Sequence, residues 1–377
     1  MISSPLKNVS VKFPPINLES YLLSNGWIAE GEILGQAKIW HRADKDHFDF
    51  EVLQPKSTEI QGYCQRVIDA INELAIFENR DPHHILKEIE NFFSDSVKIR
   101  VIHSDVEEGT IPIDDGVLLI EKSRDLLTAT TLSTFSKKSY FTGQRNAEAK
   151  NFIKQLRLGQ TEVGSFIVNL IAPISDTINT QVEQDKMSIT RAITNNLSRS
   201  LVAIGSGLES YKRTESIFEF ESVVNNGVSA NLCDALIGLT GITRSRSFTI
   251  NICRAGVELD TQELPTEFKF SPEQVPLLEL ASAFYKGNYV IKAYEAFGLV
   301  SKMTHLFEDD FGEITVRSSI HGIEKNVTIQ LKLAEYWQAV HAHENAELIS
   351  CSGVLHVTAK SAKLLEPSNF KVIGKIV

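Results

Sequence analysis

Between Glu59 and Phe77 the apolar positions fall at 60, 63, 64, 67, 68, 71 and 74, the three-and-four spacing of an amphipathic helix. Asp81-Pro82, a capping acid followed by a first-turn proline, opens a second helix. Upstream the period changes to two. Ala37, Ile39 and His41 alternate with Lys38, Trp40 and Arg42, and Phe48, Phe50 and Val52 alternate with Asp49 and Glu51. This predicts a hairpin turning at Asp44-Lys45-Asp46. A short helix over Leu18 to Leu23, stopped at Asn25-Gly26, precedes it.

Downstream, "VKIRVIH" alternates as a strand, "EEGTIPIDDG" turns, and "VLLIEKSRDLLTATTLSTF" is helical with no internal glycine or proline. From Asp176 to Ile204, apolar residues at 178, 182, 189, 193, 197, 201 and 204 predict a long or once-broken amphipathic helix ending at Gly205-Ser-Gly207. Helical signals continue from Leu208 to about Val224. Asn225-Asn226-Gly227 turns, Ala230 to Ile237 is helical, and "RSFTINICRAG" reads as a strand.

The C-terminal stretch reads strand ("AFGLVSKMTHLF"), turn (Asp309-Asp310-Phe311-Gly312), strand ("EITVRSSI"), strand ("NVTIQLKL"), helix ("AEYWQAVHAHENA"), strand ("ELISCSGVLHVTA"), strand ("NFKVIGKIV"). Three strands, a helix and two strands is the order of the five-stranded Greek-key barrel, the OB-fold. The expected class is therefore α+β: a mixed domain over 1–175, a mainly helical region over 176–290, and a small OB-like barrel over 291–377.

Composition adds limits. With 377 residues, 42% hydrophobic and 23% charged, the chain is long enough for several cores. Its formal charge of −10 excludes a uniformly basic nucleic-acid binder. Charge is uneven, however: eleven basic and six acidic residues between Lys137 and Arg213 make that segment +5 and the remainder −15. Cys64, Cys233, Cys253 and Cys351 show no CxxC spacing and read as buried thiols of a reducing compartment. The start, MISSPLKNVSVKFPP, lacks a signal-like apolar run, and no stretch approaches 18 consecutive apolar residues. A cytoplasmic location without a membrane partner is expected.

Gly159-Gln-Thr-Glu-Val-Gly164-Ser165 has the glycine and hydroxyl spacing of a Walker loop but no lysine to neutralise phosphate. It also runs from a helical stretch, "NFIKQLRL", into a strand, "SFIVNLIAPI", the reverse of a phosphate loop. Gly159 reads as a helix stop. The polar groups at this corner, Arg157, Gln160, Thr161, Glu162 and Ser165, are the candidate small-ligand residues. In "HAHENAE", His343 with Glu347 and His341 with Glu344 share helix faces without forming HExxH. Asp44, Asp46, His47 and Asp49 lack the calcium-loop pattern, and His83-His84 in a first turn have no visible partner. No nucleophile elbow or dinucleotide fingerprint occurs, and neither a metal nor a cofactor is indicated.

Three functions follow as expectations. The first is a non-enzymatic binding subunit of a larger assembly, contacting protein partners. The second is a nucleic-acid-binding accessory factor, in DNA processing or antiviral defence, using Lys137, Lys138, Arg145, Lys150 and Lys154 together with Arg244 and Arg246, which a strand would place on one face. The third is an enzyme or ligand-binding protein centred on the turn at 157–165.

Overall fold

The computed structural model describes residues 6, 13–43, 49–104, 106, 109–143, 146–159, 166–174, 187–258, 263–305 and 310–375. The chain is α+β and packs as two compact units, each built from three chain segments. Met1–Thr134, Gln144–Arg199 and Ser245–Phe270 make one; Phe135–Gly143, Ser200–Arg244 and Ser271–Val377 make the other.

The first unit starts with α1 (Pro15–Ser24), which Asn25 caps and Gly26 leaves at φ +77°. β1 (Ile28–Ile33), β2 (Ala37–Ala43) and β3 (Asp49–Pro55) form an antiparallel sheet in that order. β1 has no alternating pattern because all its residues are exposed. The turn at 44–48 lies outside the described residues. α2 (Tyr63–Glu78) and α3 (Pro82–Glu90) follow, and the Asp81 carboxylate accepts the His83 N–H at 2.8 Å, the expected cap. Leu18, Leu22, Ile71, Leu74, Ile85 and Ile89 are fully enclosed in this core. Each such side chain contributes about 1.5–3 kcal/mol by leaving water.

Next come β4 (Ser94–Ile102), α4 (Ile113–Phe135), α5 (Ala147–Gln155), β5 (Arg157–Leu158), β6 (Ile167–Pro173) and α6 (Ile189–Thr214). After α7 (Glu219–Ser222) and α8 (Ala230–Leu239), β7 (Ser247–Cys253) and β8 (Glu267–Phe270) complete an antiparallel sheet ordered β5-β6-β4-β7-β8. One face of it is apolar and buried, through Val97, Ile99, Val101, Val168, Leu170, Phe248, Ile250 and Ile252. The start of α6 is fastened here: Thr190 Oγ1 donates to Pro173 O at 2.9 Å, and further along Asn196 Nδ2 donates to Thr130 O of α4 at 3.0 Å.

Several boundaries depart from the sequence expectation. α6 does not stop at Gly205-Ser-Gly207 but runs to Thr214, while 175–186 lie outside the described residues. A Cβ at Gly205 would meet nothing within 4 Å, and one at Gly207 would reach Phe220 and Val223 at ordinary contact distance. The helix carries both glycines despite their poor propensity because Ile193, Leu197, Leu201, Ile204 and Leu208 are buried along it. Arg157 and Leu158, expected to continue a helix, instead form β5. Gly159 N–H donates to Asn169 O at 2.7 Å, and a Cβ there would lie 2.8 Å from Asn169 Nδ2. Gly159 thus sits against the Asn169 side chain of the neighbouring strand and is not a helix stop. α10 (Leu333–Glu344) ends before Glu347, so His343 and Glu347 share no helix face.

The second unit carries the part of α6 from Ser200 on, α7, α8, α9 (Val275–Tyr285) and the C-terminal elements β9 (Tyr289–Thr304), β10 (Phe311–Ile320), β11 (Ile323–Lys332), α10, β12 (Glu347–Val357) and β13 (Ala362–Lys375). Phe311 and Gly312 belong to β10 rather than to a turn. The strands close in the ring β9-β10-β11-β13-β12, antiparallel throughout except β11 with β13. That is the OB connectivity, and closure leaves no free edge. Val300, Ile314, Val316, Val327, Ile329, Leu331, Ile349 and Leu364 fill the interior, with Tyr336, Ala339 and Ala342 of α10. At Gly298 a Cβ would sit 1.9 Å from Arg317 O, so no larger residue fits.

Candidate functional site

In an antiparallel sheet, residues directly opposite one another share a face. The register therefore fixes what lies on the second face of the β5-β6-β4-β7-β8 sheet. One row is Arg157, Ile171, Ser96 and Cys253; the next is Asn169, Lys98, Asn251 and Glu267; the third is Ile167, Arg100, Thr249 and Lys269. Rows step by two residues, roughly 7 Å. Four basic side chains and one acid thus share a face with amides and hydroxyls. Arg100, Arg157 and Lys269 are exposed, and Lys98 is half-buried. Asn169 Oδ1 is buried with no hydrogen-bond partner among the described residues.

At the Ser96 end of this face a cleft of about 370 Å³ opens, lined by Lys87 and Asn91 of α3, Ser96 and Lys98, and Cys253 and Arg254. Ser96 is 1% exposed, and its Oγ has no hydrogen-bond partner among the described residues. Such a hydroxyl costs about 1–3 kcal/mol when left unpaired. Gly256 also lines the cleft, and a Cβ there would lie 2.7 Å from the Phe92 ring. The ends of α1 and α3 meet here, and their C-terminal carbonyls would repel an anion. Donors meet some of these carbonyls: Asn25 Nδ2 donates to Tyr21 O and Asn91 Nδ2 to Lys87 O, each at 2.8 Å, and Arg42 donates to Asn25 O. Glu88 pairs with Arg80, and the Tyr21 hydroxyl donates to Glu78 at 2.9 Å. Burial, then the Glu78 charge, raise the Tyr21 pKa and keep the phenol neutral.

Beneath the cleft lies a buried ion pair. Asp95 Oδ1 accepts from Arg191 Nη2 at 3.1 Å and from Ala255 N–H at 2.7 Å, while Asp95 Oδ2 accepts from Thr194 Oγ1 at 2.5 Å. Arg191 also donates to Ala255 O at 2.8 Å and to Glu258 O at 3.2 Å. This network pins the backbone at Ala255, between Arg254 and Gly256, and at Glu258 beyond them, so this part of the cleft wall is preorganised.

Of the residues singled out in the sequence, Arg157 lies on this polar face. Gln160, Thr161, Glu162 and Ser165, with Arg145, lie outside the described residues. Lys150 and Lys154 are exposed on α5 of the first unit, whereas Lys137 and Lys138 are exposed in the second. Arg244 and Arg246 do not share a strand face. Both precede β7, Arg244 at φ +56°, where it pairs with Glu279; Arg246 is buried, 2.5 Å from Asp115. Cys64 and Cys253 are exposed, so only Cys233 and Cys351 are the buried thiols expected. Sequence reasoning missed Lys98, Arg100 and Ser96. The signal was present in "SVKIRV", where basic residues take the alternate positions of a strand whose other positions are apolar.

Among the described residues no cluster of three or more His, Cys, Asp or Glu is arranged to hold a metal, and no helix is long and apolar enough to cross a membrane. The second unit holds a larger, mostly apolar cleft of about 660 Å³, lined by Tyr211, Phe218, Leu280, Tyr289, Ile291 and His356 among others. Comparison with protein-family models, with curated proteins and with solved structures returned no match.

Proposed function

We propose that the chain is a binding subunit that holds the phosphate backbone of a nucleic acid on the polar face of the β5-β6-β4-β7-β8 sheet. The observation that supports this reading is the register that gathers Lys98, Arg100, Arg157 and Lys269 on one face of a chain whose net charge is −10. Basic side chains attract phosphates whatever the base sequence. The face rows contain no aromatic residue on which bases would stack, so the attraction is to the phosphates alone, which carry no sequence information. The test is fluorescence anisotropy with a single-stranded oligonucleotide across a salt series. Four phosphate contacts give log K against log salt a slope of about −3, and Arg100→Glu with Arg157→Glu lowers both affinity and slope. Affinity unchanged by these two reversals sinks the reading.

A second reading, a protein partner, is favoured by one feature of the barrel. Phe297 and Leu299 project outward from β9, 48% and 39% exposed, and Leu299 lies opposite Leu348 of β12. Outward apolar side chains on neighbouring strands suit a protein contact. Light scattering of Leu299→Asp against the parent chain, each with candidate partners, tests it: equal complex formation by both removes the reading.

A further inference from the structure

We infer that the cleft between α3 and the β4/β7 end of the polar face is a subsite for a terminal phosphomonoester. The inference rests on the nucleic-acid reading for one source of that group, the phosphorylated end of a strand; a free mononucleotide is the other. Ser96 supplies the central observation. Its hydroxyl is enclosed in the cleft wall, has no hydrogen-bond partner among the described residues, and lies in the row beside Lys98. A phosphate oxygen within reach would accept that proton and remove the cost of leaving it unpaired.

The surrounding groups fit the same ligand. Lys87, Lys98 and Arg254 place three cations around the cleft, against Glu88, which Arg80 holds. At the two helix ends that would oppose an anion, Asn25 takes up the Tyr21 carbonyl and Asn91 the Lys87 carbonyl. A cleft of about 370 Å³ lies in the range of small-molecule sites. Because Ser96 and Cys253 belong to the Arg157 row, the cleft continues the face on which the backbone is held. A terminal monoester carries roughly −1.5 to −2 charge with a second pKa near 6, whereas each internal diester carries one charge. The cleft therefore prefers an end to an interior phosphate.

The experiment uses the full chain bearing Cys64→Ser, which leaves Cys253 as the exposed thiol. Anisotropy compares 5′-phosphorylated, 3′-phosphorylated and unphosphorylated forms of one oligonucleotide. In parallel, mass spectrometry follows iodoacetamide modification of Cys253 with and without a nucleoside monophosphate. The expected result is about tenfold tighter binding of one phosphorylated end than of the unphosphorylated strand. That preference should shrink as pH falls below about 6 and be lost in Ser96→Ala and Lys87→Gln, with slower Cys253 modification when phosphate is present. Equal binding of all three strands, with Cys253 modified at one rate throughout, overturns the inference while leaving backbone binding in place. No strand binding but Cys253 protection by the mononucleotide overturns the backbone reading and assigns the cleft to a free nucleotide. Neither binding nor protection removes both.

Discussion

Asp95 and Arg191 meet as an enclosed ion pair: Nη2 lies 3.1 Å from Oδ1, with 2% and 0% of the Arg191 and Asp95 side chains exposed. The pair joins the start of α6 to β4, and through Ala255 it reaches the end of β7. Removing one partner strands a buried charge, so Asp95→Ala should cost about 3–5 kcal/mol in urea denaturation. Replacing both, as Asp95→Ala with Arg191→Met, should cost clearly less than the two single changes summed. Simple additivity would show that the two charges do not depend on each other.

Ser96→Ala should behave in the opposite way. Deleting a buried hydroxyl without a partner leaves thermal stability unchanged or raised by about 1 kcal/mol when no ligand is present. A loss of several degrees in melting temperature would mean that the hydroxyl is satisfied and carries structural weight.

Two glycines separate room from crowding. Gly205→Ala, inside α6 with nothing within 4 Å of the new carbon, should stabilise by about 0.5–1 kcal/mol. Gly298→Ala drives that carbon to 1.9 Å from Arg317 O and should cost more than about 3 kcal/mol or prevent barrel closure. Chemical denaturation of the pair gives the sign of each.

Arg244 and Arg246, two positions apart, should respond differently to alanine. Arg246 is buried against Asp115, so its loss costs about 3–5 kcal/mol, while Arg244 is an exposed partner of Glu279 and its loss stays within about 0.5 kcal/mol. Neither change should alter the salt slope of oligonucleotide binding, which anisotropy reads directly.

The thiols give a pH-dependent check. Burial pushes the Cys351 thiol up to about 11 and raises that of Cys233 as well, so at pH 8 both remain protonated and unreactive. Cys64 and Cys253 are exposed. A colorimetric thiol assay should count two reactive groups in the native protein and four in guanidinium. Four rapid reactions in the native state would contradict the enclosure of Cys233 and Cys351.

The barrel was legible because its strands alternate cleanly. Ile314 and Val316 on β10, and Val327, Ile329 and Leu331 on β11, face inward at every second residue, and the connections are local. α2 and α3 were legible for the same reason at helical period. The central sheet was not, because its pairings join distant segments. A count along 137–213 treats Arg191 as surface charge, yet it is consumed by Asp95. It also adds Lys137 to Lys150, which the fold assigns to different units. The polar face combines Lys98, Arg157 and Lys269, whose common side is set by register alone.

That long-range pairing also bears on how the chain emerges during synthesis. Asp95 finds the Ala255 N–H 160 positions further on, and β7, which pairs with β4 from Ser96 to Ile102, is made in the same late stretch. At roughly 5–20 residues per second, β4 waits on the order of ten to thirty seconds with that edge unpaired. An unpaired edge is a template for the wrong strand. A synonymous codon change that slows the ribosome between β4 and β7 would thus lower the yield of soluble protein without altering a single residue.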